Sequence, residues 1–134
     1  MIERQPLGAI SPCFIVSDAP RAISFYQERL GFELRYSEPT KLPHFGIVGR
    51  DSVQIFLKSV SQEIAAQPNH MRHEWAPWDA FVYVDDPDSL AAEFASRGLT
   101  FYKEITNRTD GLRGFEVSDS DGYILFFGRT NPSA

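Results

Sequence analysis

The chain has 134 residues, 43% hydrophobic and 23% charged, with a formal net charge of −5; that is enough to bury one core, and no run nears the ~20 apolar residues of a membrane span. Lys and Arg are scattered within this acidic balance, which excludes the basic stripe that nucleic acid demands. A single cysteine, Cys13, rules out an internal disulfide, and Met1-Ile-Glu-Arg-Gln-Pro6 lacks the basic-then-apolar pattern of a secretory signal, so the expected compartment is a reducing cytoplasm.

Residues 9–17 read as a strand, rich in β-branched and aromatic side chains, with Pro12 at a bend or edge. Asp18 is placed to cap a helix, Pro20 suits its first turn, and Ala22, Ile23, Tyr26 and Leu30 recur at helical spacing as one buried stripe. Gly31 ends that helix. Strands follow at about 32–37, 44–49 and 52–58, with Gly49-Arg-Asp-Ser52 as a tight turn. From Ser59 to Pro77 the strand pattern breaks; this linker has room for one helical turn. A second strand–helix pair covers about 78–85 and Pro87 to Arg97, with Asp86 as the cap. Strands near 100–107, 112–118 and 122–128 complete the pattern, the last two joined by Asp119-Ser-Asp-Gly122, and 130–134 is expected to fray.

The second half thus repeats the first about 67 to 70 residues later. Phe14-Ile-Val-Ser-Asp18 returns as Phe81-Val-Tyr-Val-Asp85, Leu30-Gly31 as Arg97-Gly98, and Ile55-Phe-Leu57 as Leu125-Phe-Phe127. The predicted architecture is one α+β domain over residues 1–134. It comprises two βαβββ modules, 9–58 and 78–129, whose curved mixed sheets are paired about a pseudo-twofold axis and joined by the linker 59–77. A pocket is expected where the copies meet.

Asp18…Arg21-Ala-Ile-Ser-Phe25-Tyr26…Leu30-Gly31-Phe32, with Asp119-Ser-Asp-Gly-Tyr123 before a final apolar strand, resembles the vicinal oxygen chelate superfamily of glyoxalases, extradiol dioxygenases and bleomycin-resistance proteins. Trp78-Asp-Ala-Phe-Val-Tyr-Val-Asp85, Gly111-Leu-Arg-Gly-Phe-Glu-Val117 and Gly122-Tyr-Ile-Leu-Phe-Phe-Gly-Arg129 look most like the bleomycin-resistance branch. The resemblance covers about residues 9 to 129 and implies the glyoxalase/bleomycin resistance/dioxygenase fold. It also implies a homodimer with pockets assembled from both chains.

Enzymes of that superfamily hold a divalent metal at four positions, on the first and last strand of each module. The resemblance carries these onto Ser11 (or Pro12), Phe56, Asp79 and Phe126. Phenyl rings donate no lone pair, and one Asp with one Ser makes a poor transition-metal site. Gln54, on the same strand face as Phe56, is the one neutral substitute. No metal or other cofactor is therefore expected, and no catalytic residue is assigned. The competing reading is a metal-dependent lyase or dioxygenase using Asp79 and Gln54.

His70 and His73 stand three apart between Pro68 and Pro77, which suits a solvated linker better than a zinc helix. Cys13 reads as a small buried structural residue, and His44 as a surface or edge residue. The aromatic set says more. Phe56, Phe126, Trp75 and Trp78, with Asp79 among them, suit a planar or cationic ligand through stacking and cation–π attraction, against the plainer reading that the rings fill a core. Arg113 is expected to pair with Asp79 or to anchor an anionic ligand group, unless Glu116 takes it. The predicted ligand-binding set is thus Phe56, Trp75, Trp78, Asp79, Arg113 and Phe126. The expected function is sequestration of an aromatic or cationic small molecule, with no nucleic-acid or membrane partner; an inert scaffold with a filled cavity is the blander alternative.

Overall fold

Asp18 opens the first helix as its type and place predict: its Oδ1 accepts the Arg21 N–H at 3.2 Å, and Pro20 sits in the first turn. The helix ends at Gly31, whose φ of 66° is the left-handed conformation that glycine adopts at least cost. The computed structural model describes residues 1–61 and 63–131. Its elements run β1 Cys13–Ile15, α1 Ala19–Leu30, β2 Glu33–Glu38, β3 Phe45–Arg50, β4 Val53–Lys58, α2 Asn69–Arg72, β5 Ala80–Tyr83, α3 Pro87–Ser96, β6 Lys103–Asn107, β7 Leu112–Ser118 and β8 Ile124–Thr130.

They form two four-stranded sheets, ordered β1-β4-β3-β2 and β5-β8-β7-β6. In each, the first and last strands of the module run parallel and the other pairs antiparallel. The fold is the α+β arrangement of two βαβββ modules read from the sequence. The helical turn in the linker is α2. Of the tail expected to fray, residues 132–134 lie outside the described residues, and Thr130 belongs to β8.

Period-two alternation divides each sheet into a helix side and an open side. On the helix side, Phe14, Val16, Ile55 and Leu57 join the buried residues of α1 in one core cluster with Phe115, Val117, Leu125 and Phe127, and Phe115 and Phe127 meet Phe94 of α3. Phe56 and Phe126 fall between these positions and face the other way; Phe56 is half-buried there, whereas Phe126 is buried beneath Trp78, Phe81 and Arg108.

Three expectations are corrected. The strand expected over 9–17 is only three residues long, and residues 1–10 are exposed. Pro12 has no N–H to extend the ladder, although its carbonyl still accepts the Phe56 N–H at 3.0 Å. Cys13 is exposed, because it occupies the open side of β1. The repeat is also shifted. Val16 and Val84 donate to the equivalent carbonyls of Lys58 and Gly128, and Asp18 and Asp86 cap the two helices. Phe14 therefore matches Val82, while Phe81 lies on the opposite face, since one residue of slip inverts a strand.

The modules meet through two polar joints. At one, the buried Tyr26 hydroxyl of α1 donates to Asp119 Oδ2 at 2.8 Å, and the Ser17 N–H and hydroxyl donate to Asp121 at 2.9 and 2.8 Å. Beside them Phe14 stacks on Tyr123, centroids 4.3 Å apart. At the other, Arg50 donates both Nη groups to Glu93 at 2.8 and 2.7 Å, and Arg97 Nε adds a third bond at 2.9 Å. Those bonds, that from Arg50 first, hold the Glu93 carboxyl down at about 2. Among the described residues no helix is long and apolar enough to cross a membrane.

Candidate functional site

The open side of the second sheet is paved with rings. Trp78, just before β5, lies 4.5 Å from Phe126 of β8; Phe81 lies 5.0 Å from Phe126, and Tyr83 4.7 Å from Phe81. Two glycines make this paving flat. A Cβ added at Gly114 or Gly128 would stand 2.7 or 2.5 Å from atoms of the Phe126 ring, so the ring lies across the backbone of β7 and β8. Tyr83 is 86% exposed at the end of the row. The first sheet carries a looser version, with Phe45 6.1 Å from Tyr36 and 5.7 Å from Phe56.

Cations cap both patches. Arg108, in the β6–β7 turn, places its guanidinium carbon 5.1 Å from the Trp78 ring centre and 5.6 Å from that of Phe126. Lys58 Nζ lies 6.0 Å from the centre of Phe45. Behind Arg108 lies Glu116, the strand partner of Phe126 and only 1% exposed. Arg108 Nη1 reaches Glu116 Oε2 at 3.4 Å and Lys103 Nζ stands 3.9 Å away, while Oε1 has no hydrogen-bond partner among the described residues.

The structure brings together Trp78 and Phe126 from the predicted set and separates the rest. Phe56 occupies the equivalent open-side position on the first sheet. Trp75 is 84% exposed, with His73 as its ring neighbour. Asp79 does not pair with Arg113: Oδ1 accepts the Asn69 N–H and Oδ2 the Ile124 N–H, both at 2.8 Å. It ties the linker to β8. Arg113 points to the helix side, where Asp88 takes its Nε at 3.0 Å and its Nη2 at 2.6 Å, so neither Asp79 nor Glu116 receives it. Sequence reasoning missed Arg108, Phe81 and the two glycines. Strand parity offered a signal for Phe81 and Glu116, whereas a turn arginine carries none.

The four positions that the resemblance assigns to a metal do not supply a donor set. Phe56 and Phe126 have no lone pairs, Asp79 spends both oxygens on backbone N–H groups, and the nearby Gln54 accepts Arg35 Nη1 at 3.1 Å. Among the described residues no three His, Cys, Asp or Glu side chains converge.

A cleft of about 440 Å³ opens between the module edges, where Ser11, Gln54, Asp79, Phe81 and Tyr83 line it. A second of about 410 Å³ runs between Asp51 and the start of α3, and a third of about 540 Å³ lies between β1 and the linker. None of the three is lined by Phe56, Trp75, Trp78, Arg113 or Phe126. Phe81 connects the first cleft to the ring row.

This architecture is shared widely. The bleomycin-binding protein of Streptomyces verticillus, solved with copper(II)-bleomycin, superposes with a TM-score of 0.65 at 24% identity, covering 93% of this chain and 97% of that one. An antibiotic-binding protein from Streptomyces sp. CB03234 gives 0.65 at 20% identity (95% and 99% covered). A glyoxalase-related enzyme from Clostridium phytofermentans gives 0.69 at 14% identity (94% and 97%). At these identities the likeness is one of fold. No curated protein matches the chain. Residues 9–127 match the glyoxalase/bleomycin resistance protein/dioxygenase superfamily, and with that span covering both modules the chain belongs to this family.

Proposed function

We propose that the protein binds a small aromatic or cationic molecule without a metal, holding it against the ring row of the second sheet at the mouth of the module-edge cleft. The observation that carries this reading is Phe126. It stands where the resemblance places a metal ligand, yet its ring, only 1% exposed, lies across two glycines as the base on which Trp78 and Phe81 rest, with Tyr83 beyond Phe81 and the Arg108 guanidinium as its cover. A flat ring floor gains stacking area and gives up coordination chemistry. The cleft volume exceeds the ~300 Å³ at which ligand pockets begin, which favours binding over a filled scaffold. Two structurally similar proteins are described as binding antibiotics, which supports the same class here.

The test is a thermal-shift screen of planar aromatic and aromatic-cationic compounds, followed by calorimetry on Trp78→Ala and Phe126→Ala. Each ring removed is expected to weaken a hit by about tenfold, the size of one aromatic or cation–π contact of about 1–1.5 kcal/mol. Unchanged affinity in both variants would place the ligand elsewhere and refute the proposal. Light scattering on the same samples is expected to show the homodimer; a monomer that binds equally well would confine the pocket to one chain.

A further inference from the structure

Arg108 is held less by what it covers than by what lies outside it. Its Nε donates to both oxygens of Asp110 at 3.2 and 3.0 Å, and its Nη2 lies 3.0 Å from the same carboxylate, on the exposed turn. Toward the interior it makes one long bond of 3.4 Å to Glu116 Oε2. Glu116 is thus a carboxylate almost wholly removed from water, with one oxygen unpartnered and two cations at the limit of reach. Burying a carboxylate is costly unless short, well-directed donors meet it. The Trp78 indole Nε1–H, buried in the same stack, likewise has no partner among the described residues.

We propose that Arg108 is an internal stand-in for the ligand, and that the site takes a planar cation with paired N–H donors, such as an amidinium, a guanidinium or a protonated aminoheterocycle. Such a group displaces the Arg108 head, stacks on Trp78 and Phe126, and donates to Glu116. Three features fit this chemistry. The rings already accept a guanidinium at 5.1 and 5.6 Å. The carboxylate has an oxygen to spare. Asp110, the main partner of the Arg108 guanidinium, stands on the exposed turn, so the pair is free to swing outward together. The proposal rests on the ring row being the binding surface, and it assigns Glu116 and Arg108 as the residues that select charge.

The experiment titrates benzamidinium, and benzamide as its neutral counterpart, into the wild type, Arg108→Ala and Arg108→Ala/Glu116→Gln, reading the indole N–H resonances of the two tryptophans. Trp75 serves as the internal control, because it lies outside the stack. Removing the stand-in is expected to tighten benzamidinium by about tenfold, the worth of one cation–π cap. Trp78 alone should shift, the gain should vanish in the double variant, and benzamide should bind weakly throughout. Should Arg108→Ala fail to fold, Arg108→Gln, planar but uncharged, carries the same comparison. If both probes move Trp78 alike whatever stands at 116, the charge selection is wrong and the aromatic site remains. If neither moves it in any variant, both readings fall.

Discussion

Phe94→Ala is expected to remove about 3–5 kcal/mol of stability, the range for deleting a fully buried phenylalanine whose surroundings cannot collapse. Phe94 is the peg of α3. Its ring meets Phe115 and Phe127 edge-on at 5.8 and 5.3 Å, and Arg50 of the other module lies 5.9 Å from its centre. Phe115 and Phe127 are partners on adjacent strands, β7 and β8, and their rings stack at 5.4 Å. The sheet fixes them, so the space left by the ring stays open. Urea unfolding measures the loss as a fall in midpoint of about 1.5–3 M, taking a slope of about 1.5–2 kcal/mol per M for a domain this size. Phe45→Ala, on the half-covered open side of β3, should cost less than half as much. Equal losses at the two positions would mean that the helix side is not the principal core.

Asp119 should make the module joint sensitive to acidity in the direction opposite to acid denaturation. Burial raises its carboxyl to about 6, outweighing the hydrogen bonds from Tyr26 and from the Asp121 and Tyr123 N–H groups that favour the charged form. The Tyr26 hydroxyl opposite is likewise raised well above its ordinary value, by burial first and by Asp119 second. A carboxyl whose folded value lies above its unfolded one makes the folded state the better proton binder. Its contribution is therefore complete below pH 3.8, declines between 3.8 and about 6, and is gone above that. The amount is on the order of 3 kcal/mol at 1.36 kcal/mol per unit. Folded Glu93, held near 2 at the second joint, stays charged in that window, and its own contribution is common to the wild type and a variant at 119. Asp119→Asn isolates the effect: the stability of the wild type relative to the variant should fall as pH rises from 4 to 7. A difference that is flat, or that rises with pH, would show the carboxylate charged and satisfied in place.

Why some of this was readable in the sequence and some was not follows from the range of the interactions. The α1 helix was legible because its signals are local: Asp18 and Gly31 at its ends, and Ala22, Ile23, Tyr26 and Leu30 at 3.6-residue spacing, all buried. The turn at Gly122 was legible for the same reason, its φ of 90° needing glycine. The module repeat was visible, but letters alone matched Phe14 to Phe81, whereas strand parity sets Phe14 into the core and Phe81 onto the ring row. Trp78 and Phe126 were found because their strands could be counted. Asp79 and Arg113 were joined on the expectation that an inward carboxylate needs a cation. The chain instead gives Asp79 two backbone donors and gives Arg113 to Asp88, contacts set by the linker and by α3 that no local pattern records. Arg108 escaped notice because a turn residue's reach over a neighbouring strand is a tertiary fact.

The central claim is that rings have taken the place of metal chemistry in this member of the superfamily. The most direct test is the metal content of protein purified without chelators, measured by plasma mass spectrometry before and after dialysis against zinc, nickel, iron and manganese salts. Far less than one ion per chain is expected in every case, because Phe56, Phe126 and the occupied Asp79 leave no donor set among the described residues. A stoichiometric ion that survives dialysis into metal-free buffer would contradict that claim.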